Sequence, residues 1–123
     1  MDKKYLDFIC SLHGYCIRVK EIHWSTDNNS EHLLCDEIEE EIHDLEDRFA
    51  ECTMGITGKK VKIGDLKPML PHATKLKEML KELADETMDM KDNFDGYQYS
   101  GLENICDDIM EMCGKYMYRT TQK

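Results

Sequence analysis

Six side chains suited to holding a metal ion recur along one stretch of the chain: His32, Asp36, Glu40, His43, Asp47 and Glu51, at steps of 4, 4, 3, 4 and 4 residues. On a helix this spacing gathers them within an arc of about 100°. The apolar residues Leu34, Ile38, Ile42, Leu45, Phe49 and Cys52 fall in another arc of about 80° on the far side. Carboxylates four apart repel one another along a helix. Water screens that repulsion on an ordinary solvated face, and a bound cation offsets it more efficiently. Imidazole mixed with carboxylate suits iron, manganese or zinc, whereas calcium takes oxygen ligands and has no use for imidazole. A solvated acidic face is the competing reading.

These residues need a helix to align them, and four segments of the chain have helical period while none alternates like a strand. The first runs from about Asp2 to Trp24 with Tyr5, Phe8, Ile9, Leu12, Cys16, Val19 and Ile22 on one stripe, weakened at Gly14. Asn28 and Glu31 form a capping pair for the second, which runs to about Met54 and stops at Gly55. Pro71 suits the first turn of the third, which runs to about Asn93 with Leu76, Met79, Leu80 and Leu83 inward. Ser100, with Glu103 three residues on, caps the fourth, whose stripe is Leu102, Ile105, Cys106, Ile109, Cys113, Tyr116 and Met117. The fold class expected is all-α, a single four-helix-bundle domain over residues 1–123. The 17-residue connection from Gly55 to Pro71, with room for a short helical turn near Asp65–Leu70, can cross over along the bundle. That favours ferritin-like connectivity over an up-down-up-down array.

A diiron centre inside such a bundle takes a Glu-x-x-His pair from each of two helices. Glu40-x-x-His43 is one such pair, but the fourth segment offers Glu103, Asp107, Asp108 and Glu111 with no histidine. The donor face of the second segment also points away from its apolar face. The metal site expected therefore lies outside the bundle, most naturally between two subunits.

Composition narrows the rest. Seven Gly and two Pro exclude collagen-like and low-complexity chains. No apolar run approaches the roughly 18 residues of a membrane span, and Met1-Asp2-Lys3-Lys4-Tyr5 leads into an amphipathic segment without a signal-peptide core. A soluble, cytoplasmic protein is expected. The net charge is −10, and residues 27–51, with eleven acids and the single base Arg48, hold all of it. Such a segment is no nucleic-acid face. Elsewhere Lys3, Lys4, Lys115, Arg119 and Lys123 are few and scattered, and Lys59, Lys60 and Lys62 read as a solvated loop, so nucleic-acid binding is expected to be weak or absent. Six cysteines without a C-x-x-C read as small buried thiols, and nine methionines as core filler.

The chain resembles the Dps mini-ferritins. The residues that carry the likeness are His23-Trp24, then His32, Asp36 four later and Asp47-Arg48-Phe49-Ala50-Glu51 beginning fifteen after His32. Leu76 to Asp85, with Leu80-Lys81-Glu82-Leu83-Ala84-Asp85, is similar to that family's third helix. The resemblance implies an iron site shared across a two-fold dimer interface, with metal ligands His23, His32 and Asp36 from one subunit and Asp47 and Glu51 from its mate. It implies ferroxidase activity, in which Fe(II) is oxidised preferentially by hydrogen peroxide, and storage of ferric mineral in a hollow homo-oligomer, a dodecamer. Trp24 would pack beside the site or anchor the helix end. A ferritin-like shell protein without ferroxidase activity is the alternative, and a DNA-compacting protein a third.

Overall fold

The computed structural model describes residues 1–122, so Lys123 lies outside the described residues. Four α-helices account for most of the chain: α1 (Lys3–Ser25), α2 (Asn29–Thr57), α3 (Leu76–Lys91) and α4 (Ser100–Arg119), with a short 3₁₀ turn over Tyr97–Tyr99 before the last. Each helix packs against two others: α1 on α2 and α3, and α4 on α2 and α3. One apolar core fills the square between them. Tyr15, Ile38, Ile42, Phe49, Met79, Leu80, Leu83, Leu102 and Ile109 are essentially inaccessible to water, and burying a side chain of this size contributes about 1.5–3 kcal/mol. Among the described residues no helix is long and apolar enough to cross a membrane.

The helix ends show what periodicity does not reveal. Asp2 caps α1 by accepting from the Lys4 amide, and Asn28 caps α2 by accepting from the Glu31 amide. Helix α2 continues through Gly55 to Thr57, because the residue that takes the left-handed conformation, at φ 69°, is Gly58. Helix α3 starts at Leu76 and not at Pro71. The amides of His72 and Ala73 are bound by the two carboxylate oxygens of Glu82, each at 2.9 Å, which holds this segment out of the helical ladder. Ser100 is the first residue of α4 and not its cap; Tyr99 holds that position with no side-chain cap bond.

The connection between α2 and α3 runs lengthwise over α1. The Cys10 thiol donates to the Asp65 carbonyl at 3.5 Å, the Met69 amide donates to the Cys10 carbonyl at 3.1 Å, and the Arg18 guanidinium donates to the Ala73 carbonyl. Residues 65–70 form no helical turn. Gly14 makes this crossing possible, since a Cβ there would stand 1.9 Å from the Met69 carbonyl oxygen. A glycine that looks like a local weakness in α1 is a point of close backbone approach.

Candidate metal centre

Only three residues, Thr26 to Asn28, separate α1 from α2. A hairpin this tight sets the last turn of α1 beside the first turn of α2, and so brings His23 against His32 although they are nine residues apart in sequence. Their Nε2 atoms lie 3.1 Å apart, and Asp36 Oδ1 is 3.4 Å from the same His23 nitrogen. One donor atom from each of His23, His32 and Asp36 lies within 4.8 Å of the other two. The three converge on one point at the surface, with His23 half-buried and His32 and Asp36 exposed.

On its other ring nitrogen His23 meets Glu39: Nδ1 to Oε1 is 3.0 Å. When Nδ1–H donates to that carboxylate, Nε2 keeps its lone pair and faces His32 and Asp36. This is the usual way a protein fixes the tautomer of a ligating histidine. Glu39 is the candidate site residue that the periodicity of the donor face misses. Its signal is the spacing Asp36-x-x-Glu39, which turns it toward α1. The cluster thus offers two imidazoles and a carboxylate, a set suited to a divalent transition ion, with its outer side open to further ligands.

Asp47 and Glu51 are exposed on the same helix but do not join this cluster within one chain. Asp47 lies eleven positions after Asp36 on α2, about 16 Å along the helix. Glu40 and His43 stand between them. Trp24 is 75% exposed, so it does not anchor the end of α1. It lines a groove of about 730 Å³ between α1 and α2, together with His13, Cys16, Asp36, Glu39 and His43. Lys20 Nζ lies 5.6 Å from the centre of its ring.

The remaining acids of the stretch differ in their surroundings. Glu37 and Glu41 pair with Arg119 and Lys115, each at 2.9 Å. Glu46 is not a solvated acid: it is 9% exposed, with one oxygen 2.9 Å from His13 Nδ1 and the other accepting from the Cys16 thiol at 3.2 Å. Burial and this carboxylate together push the Cys16 thiol well above its ordinary range. All six cysteines are free thiols.

Residues 23–120 match the family described as "Family of unknown function (DUF5856)". The chain belongs to DUF5856. No curated protein matches it, and no solved structure does. The DUF5856 match opens at His23 and contains every residue of the cluster as well as Asp47 and Glu51, whereas His13 and Cys16 precede it.

Proposed function

We propose that this DUF5856 chain is a Dps-like mini-ferritin that binds Fe(II) between two copies, oxidises it with hydrogen peroxide in the cytoplasm and stores the ferric product in a hollow dodecamer. The observation that carries the reading is the convergence of His23, His32 and Asp36 at a surface point open to ligands from another chain. The register of α2 adds support. Asp36 and Asp47 are equally far from the position midway between Glu41 and Ile42, as are His32 and Glu51, and Glu40 and His43. A two-fold axis crossing α2 there sets His32 and Asp36 of one copy opposite Glu51 and Asp47 of the other. The lengthwise course of the connection over α1 fits ferritin-like connectivity, in which α3 runs parallel to α2.

On this reading His23, His32 and Asp36 hold the Fe(II) substrate, Glu39 orients His23, and Asp47 and Glu51 of the second copy complete the ligand set. Hard carboxylate ligands favour Fe(III) over Fe(II) and so favour loss of the electron. Two Fe(II) ions give one electron each to one peroxide, whose O–O bond breaks; hydrolysis of the ferric ions then releases protons.

Anaerobic Fe(II) loading followed by peroxide tests the proposal through ferric absorbance. The parent should oxidise iron saturably, while His32→Ala/Asp36→Ala and Asp47→Ala/Glu51→Ala should each lose the site. Co-expressed in equal amounts, the two variants should recover about a quarter of the activity, because half the dimers are mixed and each holds one complete site. Variants that oxidise iron like the parent overturn the reading. A large oligomer that does not oxidise iron leaves only a ferritin-like shell.

A further inference from the structure

The connection laid over α1 is a strap with an apolar outer side. Of the nine large apolar side chains exposed among the described residues, four lie within eight positions of it: Ile63, Leu66, Met69 and Leu70. Lys62 and Lys67 are interleaved with them and exposed, and neither makes an ion pair among the described residues. The strap's one acid, Asp65, accepts from the Lys62 amide. Bonds to Cys10 and Arg18 already fix the backbone on α1, so covering this side orders little beyond side chains.

Its place around α1 is defined by helical register. The strap meets α1 at Cys10, Gly14 and Arg18, four apart and so on one line. His13, Ile17, Lys20 and Trp24, which line the α1–α2 groove, form a second line about 90° round the helix. Cys16 and His23, bonded to Glu46 and Glu39 of α2, lie about 80° beyond that. Strap, groove and α2 therefore follow one another across one face of the molecule. The strap is basic and apolar, whereas α2 borders the groove with Asp36, Glu39 and Glu40. A basic ridge, a furrow and an acidic ridge in parallel make a face complementary to a second copy of itself.

We propose that Leu66, Met69 and Leu70 of one copy seat in the α1–α2 groove of a second copy, covering Ile17 and Trp24, with Lys67 turned toward the acids of the second copy's α2. A two-fold axis makes the contact twice. The proposal rests on the two-copy reading above and names the surface through which the copies meet. A phosphate backbone would engage the lysines and leave four large apolar side chains in water. Nucleic acid and anionic lipid alike would be repelled by the carboxylates of α2 on the same face.

Trp24 is the chain's single tryptophan and reports on the groove directly. In the metal-free full chain its emission should move to the blue and become shielded from iodide as concentration rises, in step with dimer formation by sedimentation velocity. Leu66→Asp/Leu70→Asp should raise the dissociation constant at least about tenfold and leave Trp24 open to iodide while preserving the helical signal. Should that variant unfold, Ile63→Asp/Lys67→Glu, at two exposed positions, serves in its place and should weaken association in the same direction. Asp47→Ala/Glu51→Ala should keep the shielding, which separates this contact from iron binding. Shielding without iron oxidation in the parent supports the contact and sinks the iron reading. Iron oxidation with Trp24 open to iodide at every concentration overturns the contact alone. Dimers unaffected by the strap variants, or shielding by phosphatidylserine vesicles in place of a second copy, also overturn it.

Discussion

Helix α2 has two flanks, and they neutralise their acids by different means. Between α2 and α4, Glu37 and Glu41 meet Arg119 and Lys115, and Asp108 of α4 meets Arg48. Between α1 and α2, Glu39 and Glu46 meet His23 and His13. The grooves on the two flanks are nearly equal in size, about 760 Å³ and 730 Å³, so room for a ligand does not distinguish them. The nature of the cation does. A lysine or arginine is a permanent counter-charge that occupies its carboxylate, whereas an imidazole is neutral or charged and can hand its lone pair to a metal. Four of the chain's five histidines, all but His72, lie on the α1–α2 hairpin, which is where donor atoms converge.

The largest separation of the two flanks should be in iron chemistry. Asp36→Ala should lower the rate of peroxide-driven Fe(II) oxidation by more than about tenfold, and Lys115→Ala on the opposite flank should leave it unchanged. Equal losses from both substitutions would show that general acidity, and not the cluster, governs the reaction.

Stability should divide the flanks next. Glu46→Ala leaves His13 and Cys16 without their partner and should cost about 1–3 kcal/mol, a fall of several degrees in Tm for a chain of this size. Glu37→Ala removes an exposed pair and should cost at most about 1 kcal/mol. Matching denaturant midpoints for the two variants would erase the distinction.

Salt should act on one flank alone and weakly. The exposed ion pairs of the α2–α4 side are screened at high ionic strength, so 1 M sodium chloride should shrink the effect of Arg119→Ala and leave that of Glu46→Ala unchanged. A salt-dependent Glu46→Ala effect would place that carboxylate in solvent.

Alkali should produce the smallest contrast, because buried thiols occur on both sides. Burial pushes Cys35 on α2, and Cys106 and Cys113 on α4, up to about 12. A thiol that keeps its proton in the folded state contributes stability that is complete below its unfolded pKa, about 8.5. That contribution is lost as the unfolded chain deprotonates and the pH climbs toward the folded value. Tm should therefore decline between about pH 8.5 and 12, and Cys113→Ala should flatten the decline. A profile unaffected by that substitution would rule out the buried thiol as its source.

The sequence discloses the four helices because their apolar stripes keep a strict helical period, and it discloses the cap of α2 because Asn28 and Glu31 have the right types and spacing. Helix ends fixed by distant partners are hidden from it. Pro71 looks like a helix start, yet Glu82, eleven residues on, takes the amides that would have begun the helix. Gly14 looks like a flaw until Met69 is placed against it. The ligand spacing along α2 can be read locally, while the approach of His23 to His32 depends on how tightly Thr26–Asn28 turns. Glu46 sits among surface acids in the sequence, and only the packing of α1 shows it to be buried.

The strap laid over α1 also divides the molecule into two working parts. Lys59, Lys60 and Lys62 stand exposed where it begins, open to a trypsin-like protease. A cut there would yield two helical hairpins joined by their shared core, by the strap's hydrogen bonds to Cys10 and Arg18, and by the ion pairs of α4 with α2. Every side chain assigned to a metal lies on the first piece, and the second supplies packing and counter-charge.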